Sequence, residues 1–338
     1  MSEFDLIHQY FTRATHHTNL GVGDDAALVT IANNMELAIS ADMLVAGTHF
    51  FADADPYQLG WKSLAVNLSD MAAMGASPKW ATLAIALPEV NQPWLTEFSR
   101  GFFTCAEVFN VDLIGGDTTR GPLTISIQIM GEVPTGQAIK RSGAKLDDEI
   151  WLSGHLGDAA LALAHMQGNL TLASDAFTSC AKALHTPQPR VALGLSLRGI
   201  ANSAIDISDG LLADLGHILE RSNVGAAIYL ANIPHSAHLG IELLKEASER
   251  KSNIGVRSDN GPNSYNKNIL SMLLAGGDDY ELCFTAPAEQ HAGIIQLSES
   301  LNLPLSCIGR ITNNAQLTVH GFNDEIIDLK EAGFDHFK

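Results

Sequence analysis

Six stretches of this chain set aspartates in apolar or glycine-rich frames: "LGVGDDAALV" (20–29), "AISADML" (38–44), "NLSDMAAMG" (67–75), "LIGGDTT" (113–119), "AIDISDGL" (204–211) and "LAGGDDYEL" (274–282). Acids enter such surroundings when they are paired or when they hold a cation. Asp is the shortest carboxylate and offers oxygen ligands from a loop, which suits hard cations such as magnesium. A neighbouring glycine lets the backbone come close to a phosphate. Asp70 sits inside a helical pattern, one position from the apolar stripe, and the residues three and four positions away carry no positive charge. Asp117 and Asp278 each follow two glycines. Asp53 and Asp55, before Pro56, read as turn residues. Asp158 and Asp209 read first as helix caps. Taken together, the acids point to a polynuclear magnesium site. The bases near them are Lys62, Lys140, Arg141 and Lys145. Arg141, followed by Ser142-Gly143, suits a bidentate clamp on phosphate, whereas Lys140 reads as part of a solvated linker.

Other chemistries leave no trace. The chain has no G-x-x-x-x-G-K-[ST] loop, no G-x-G-x-x-G between strand and helix, no H-E-x-x-H and no G-x-S-x-G. Its 13 histidines are scattered without zinc spacing. The four cysteines, Cys105, Cys180, Cys283 and Cys307, form no C-x-x-C pair; all but Cys180 lie in apolar surroundings and read as buried free thiols of a reducing compartment. With 38 acids against 20 bases and a net charge of −18, nucleic acid and anionic membranes are unlikely partners. No signal-type or spanning apolar run is visible, so the expected location is cytoplasmic.

The elements that must position these acids follow from periodicity. A strand over 35–42 ends at Asp42, and 57–75 is a helix with Trp61, Leu64, Leu68, Met71 and Ala72 on one face and Gly75 at its C-terminus. Strands are expected at 80–88, 111–117 and 123–133, the last alternating Thr, Ser and Gln with Leu and Ile. A helix fills 92–110. The turn-rich stretch 134–149 separates a first domain, 1–138, from a second, 149–338. In the second, 150–167 reads strand, glycine loop, helix; 187–201, 209–222 and 238–250 are helices; 225–234, 280–287 and 305–311 are strands. The segment 251–268 reads as a polar loop. The mixture predicts an α+β protein of two domains.

"GVGDDAA", "ISADMLVAGTHF", "NLSDMAAMGASP", "LIGGDTTRG", "RSGAK", "AIDISDGL", "GGDDYELCF" and the closing "GFDHF", in this order, resemble the thiamine-monophosphate kinase family of the aminoimidazole ribonucleotide synthetase superfamily. The resemblance runs from about residue 4 to the C-terminus. It implies an N-terminal magnesium- and ATP-binding domain whose sheet pairs with that of a second subunit into a barrel, a C-terminal α/β sandwich that completes the nucleotide and substrate site, and hence a homodimer. It implies ATP-dependent phosphorylation of thiamine monophosphate to thiamine diphosphate, the last step in making that product, with several magnesium ions. Residue by residue, it assigns Asp25, Ser40, the backbone of Ala41, Asp42, Asp70, Asp117, Asp206 and Asp209 to magnesium. Gly116, Asp117, Arg141 and Ser208 fall to ATP, and His49, Asp278, Glu331 and Phe334 to thiamine monophosphate. Asp278 stands where relatives often carry Glu, and Glu331 where they often carry Trp.

No Ser-His or Cys-His constellation is present, and none is needed if the nucleophile is an ionised phosphate oxygen. Two other readings remain open from the residues alone: another ATP-using enzyme of the superfamily, or a non-catalytic dimer that binds metal or nucleotide.

Overall fold

The computed structural model describes residues 2–243 and 267–327. The chain forms two compact units, Met1–Ala138 with Gln188–Arg198, and Ile139–Pro187 with Gly199–Lys338.

The first unit is built on a four-stranded sheet in the order β3-β6-β4-β5, from β3 (Met35–Val45), β4 (Ser77–Leu87), β5 (Asp112–Arg120) and β6 (Thr124–Pro134). β6 runs antiparallel to both β3 and β4, and β4 runs parallel to β5. Ile125, Ile127 and Ile129 of β6 are buried on one face, while Thr124, Ser126 and Gln128 take the other. The alternation in the sequence has this cause: one sheet face is dry and the other open. Over the dry face lies α2 (Pro56–Ala73), whose Trp61, Leu64, Leu68, Met71 and Ala72 are all buried as the helical spacing predicts. Pro56 opens this helix, and the Asp55 carboxylate accepts the Gln58 N–H at 2.9 Å, so Asp55 is a cap. α3 (Gln92–Phe109) packs on α2, capped by Asn91 at its start and by left-handed Asn110 at its end. After the short α1 (Glu3–Leu6), a small ribbon, β1 (Thr18–Leu20) with β2 (Leu28–Val29), flanks the Asp24-Asp25 loop. Asp112 holds its entry, accepting the His16 and His17 N–H groups and the Thr18 hydroxyl.

The second unit carries a six-stranded sheet in the order β12-β9-β11-β7-β10-β8. Its strands are β7 (Glu149–Ser153), β8 (Ser203–Asp206), β9 (Gly225–Tyr229), β10 (Leu282–Ala286), β11 (Leu305–Thr312) and β12 (Leu317–His320). All pairs are antiparallel except β12 with β9. Ile150, Leu152, Ile205 and Cys283 face a core shared with α4 (Asp158–Met166), α5 (Ser174–His185), α7 (Leu211–Ser222), α8 (237–243) and α9 (Lys267–Ala275). Trp151 and Phe284 occupy the other face, stacked at 6.4 Å, beside α10 (His291–Leu301).

Several expectations need correcting. The helix expected at 187–201 shrinks to α6 (Val191–Ser196), which belongs to the first unit; Pro187 and Pro189 delay its start and Gly199, at φ +75°, lies past its end. The strand expected at 225–234 stops at Tyr229, where the chain enters a short turn of helix. α5, β8 and β12 were not anticipated. Cys180 is fully buried in the core, although its Sγ also lies 3.5 Å from an Asp158 oxygen, and Cys307 is only half-buried. The helix expected at 238–250 is described only over 237–243, and of 251–268 only the first two residues of α9 are described. Among the described residues no helix is long and apolar enough to cross a membrane.

Candidate active site

Ser40 and Asp42 alternate onto the helix-covered face of β3, and Asn67 and Asp70 share one side of α2 at a spacing of three. The two elements meet through these four residues. The Asp42 N–H donates to Asn67 Oδ1 at 3.2 Å, and Asn67 Nδ2 donates to the Ser63 carbonyl at 3.0 Å. The Ser40 hydroxyl donates to Asp70 Oδ2 at 2.5 Å. Burial, reinforced by the Asp70 charge, lifts the Asp42 carboxyl to about 6. Two carboxylates set against each other with a hydroxyl make an all-oxygen donor set under strain of like charge. A hard divalent cation fits it, and a thiolate- or imidazole-seeking metal does not. Among the described residues no three Asp, Glu, His or Cys side chains already converge as a metal cage. Asp42 and Asp70 could hold such an ion as a pair of carboxylates, the kind of set magnesium completes with waters and substrate phosphates.

Asp25 and Asp117 lie on other elements, Asp117 on the opposite sheet face. Asp25 is exposed on the loop after β1, its N–H bonded to Asp24 Oδ1 at 3.1 Å. Asp117 lies in register with Ala84, and through it with Ser126 and Met43, on the open face of the sheet. Ala41 pairs with Gln128 on that same face. Gly116 has a packing reason of its own: φ is +151°, and a Cβ would fall 1.8 Å from the Leu83 carbonyl oxygen. His49 lies in the turn after β3, where Nδ1 accepts the Val45 N–H at 3.0 Å. A neutral His49 therefore carries its proton on Nε2.

In the second unit two loops come together, while the Arg141 loop is anchored at the far end of α7. Asp206 ends β8, buried, opposite Leu282. After it, the Ile207 and Ser208 carbonyls accept the Tyr280 and Asp278 N–H groups at 2.8 and 2.9 Å. Asp278 and Tyr280 both adopt positive φ, and the Tyr280 hydroxyl donates to Asp278 Oδ1 at 3.0 Å. Beneath this loop, both Asp279 oxygens accept the Gly157 N–H, and burial pushes the Asp279 carboxyl well above its usual range. Arg141 lies on a separate loop. Ser222 Oγ, at the end of α7, accepts the Gly143 and Ala144 N–H groups at 3.1 and 3.2 Å and lies 3.4 Å from the Arg141 carbonyl. Glu331 and Phe334 lie outside the described residues.

The helix-cap reading of Asp209 fails. α7 begins at Leu211, and the residue that satisfies the N–H groups ahead of it is Asp214. Burial, the largest influence, lifts the Asp214 carboxyl to about 7 despite its backbone donors. Asp158 is no cap either: Gly157 holds that position, and Asp158, the first residue of α4, accepts the Ser236 hydroxyl on Oδ1 at 2.5 Å. Sequence reasoning missed Asn67, Asp214, Ser222 and Asp279. Only Asn67 had a readable signal, its spacing of three from Asp70.

Residues 23–133 match the AIR synthase related protein N-terminal domain, and residues 145–321 match the corresponding C-terminal domain. The thiamine-monophosphate kinase of Escherichia coli strain K12 is 43% identical over 340 residues, covering 99% of this chain and 98% of the relative. A crystal structure of the thiamine-monophosphate kinase from Stenotrophomonas maltophilia K279a superposes with a TM-score of 0.78 at 45% identity, over 90% of this chain and 91% of that one. The structure of AaThiL complexed with AMPPCP and TMP superposes with a TM-score of 0.75 at 28% identity, over 94% and 92%. The chain belongs to the thiamine-monophosphate kinase family, assembled from the two AIR synthase related domains.

Proposed function

We propose that this chain moves the terminal phosphoryl group of ATP directly, in line, onto thiamine monophosphate, with magnesium ions held by its acids. It is a thiamine-phosphate kinase, and its product is thiamine diphosphate. The observation that carries the activity is the full-length likeness to thiamine-monophosphate kinases. The Asp42–Asp70 pair is what supports the metal reading.

The chemical obstacle is repulsion between two phosphorylated molecules. Two like unit charges about 4 Å apart cost roughly 4 kcal/mol at an effective dielectric near 20. When bound, magnesium supplies the countercharge and polarises the phosphoryl oxygens. The chain's part is to hold and orient. Asp42 and Asp70, with Ser40 and the Ala41 backbone, would seat one metal in the first unit, and Asp25 and Asp117, the latter on the open face of the sheet, would hold others. Asp206 and Asp209 would serve in the second. Gly116, Asp117, Arg141 and Ser208 would contact ATP, Arg141 by a forked hydrogen bond to phosphate. His49 would donate its Nε2–H to the phosphate of thiamine monophosphate, and Asp278, Glu331 and Phe334 would hold the rest of that substrate. The acceptor oxygen is already ionised, so no residue need remove a proton.

The working assembly in this reading is a cytosolic homodimer. Met35, Leu37, Ile39 and Met43 of β3 are 36%, 38%, 56% and 56% exposed, on the open sheet face with Gln128 and Ser126. An apolar strip of this kind on a sheet suits a second copy, closing two sheets into a barrel.

The test is product stoichiometry. Purified protein with ATP, magnesium and thiamine monophosphate should yield ADP and thiamine diphosphate one-to-one by phosphorus NMR. Inorganic phosphate in place of thiamine diphosphate, or equal ADP release with an aminoimidazole precursor, would overturn the assignment.

A further inference from the structure

The Ser208–Gly210 turn hangs on one buried oxygen. Asp214 Oδ2 accepts the N–H groups of Ser208, Asp209 and Gly210 at 3.0, 3.0 and 3.2 Å. Asp214 is 2% exposed. It sits one turn into α7, between Leu211 and Leu215, both fixed in the core. The turn is pinned from its other side as well: the Ser208 carbonyl accepts the Asp278 N–H at 2.9 Å, and Gly210, at φ +110°, has no room for a Cβ against Ala275. Core packing therefore sets the carboxylate, and the carboxylate sets where the Ser208 and Asp209 side chains stand.

We propose that Asp214 is a positioning residue for phosphoryl transfer: it touches neither substrate, but its single oxygen gathers three N–H groups and so fixes Ser208 and Asp209 for the nucleotide and its metal. This rests on the reading above that Ser208 contacts ATP and Asp209 holds magnesium. A buried donor left without any acceptor costs more than one that keeps a neutral acceptor. The two obvious substitutions should therefore rank. Asp214→Asn keeps an acceptor oxygen in place, while Asp214→Ala leaves three donors with none.

The experiment is calorimetric binding of AMPPCP with magnesium, run beside thermal melts, for Asp214→Asn, Asp214→Ala, Ser208→Ala and Asp209→Asn. Asp214→Asn should melt close to the native protein and bind AMPPCP about fivefold more weakly; Asp214→Ala should bind about fiftyfold more weakly. Raised magnesium should restore most of the Asp214→Asn turnover, a rescue that a purely structural defect would not show. Should Asp214→Ala fail to fold, the Asp214→Asn pair of measurements decides alone. Native AMPPCP affinity in the Asp214 variants, with Ser208→Ala and Asp209→Asn weakened, would overturn the positioning role and spare the nucleotide reading. Native affinity in all the variants would overturn both.

Discussion

Asp70→Asn is expected to fold normally and to lose about a thousandfold in turnover at saturating ATP and thiamine monophosphate, which corresponds to about 4 kcal/mol of transition-state stabilisation. Asn is nearly the same shape and still accepts the Ser40 hydroxyl, so the contact between β3 and α2 survives. What is lost is half of the formal negative charge by which, in the proposed function, Asp42 and Asp70 would draw a divalent cation. Asp42 should then ionise more readily, because the neighbouring charge that opposes it is gone. Steady-state kinetics with a thermal melt checks both halves. Native turnover in a folded Asp70→Asn protein would remove Asp70 from the chemistry.

The second large effect concerns the helix that carries Asp70. α2 and α3 approach so closely that a Cβ on Gly101 would stand 1.9 Å from the Tyr57 carbonyl oxygen, and one on Gly60 would stand 2.1 Å from that of Phe98. At an ordinary helical position, Gly→Ala stabilises by up to about 1 kcal/mol. Here backbone meets backbone, and no rotamer can relieve the clash. Gly101→Ala should therefore destabilise the first unit by about 3 kcal/mol, the upper end for overpacking a core. Denaturant melts followed through Trp61 and Trp80, both in this unit, measure it. An increase in stability would show that the helix pair is looser than it stands here.

Much of the first unit was legible because its signals are local. The stripe Trp61, Leu64, Leu68 and Met71 spells a helix, and the alternation over 124–129 spells a sheet with one wet face. Pro93, in its first turn, marked the start of α3. What escaped was either short or non-local. β8 is four residues, Ser203–Asp206, buried on both faces and too brief to show a period. α5 has a polar side long enough to resemble a loop. Placing the start of α7 two residues early made Asp209 look like a cap, whereas Asp214 reaches backwards to donors that precede its own helix, and no pattern of spacing announces that. Residue type alone singled out the acids that could hold a cation. It could not say that Asp42 and Asp70 meet while Asp117 takes the opposite face of the same sheet; only the strand register decides that.

Magnesium dependence of nucleotide binding tests the central claim most directly. Titrating AMPPCP into the protein by calorimetry should give clear binding heat with magnesium present and almost none in chelator, since acids of this density repel a bare polyphosphate. Binding of equal strength in chelator would mean that the aspartates do not recruit the nucleotide through a cation.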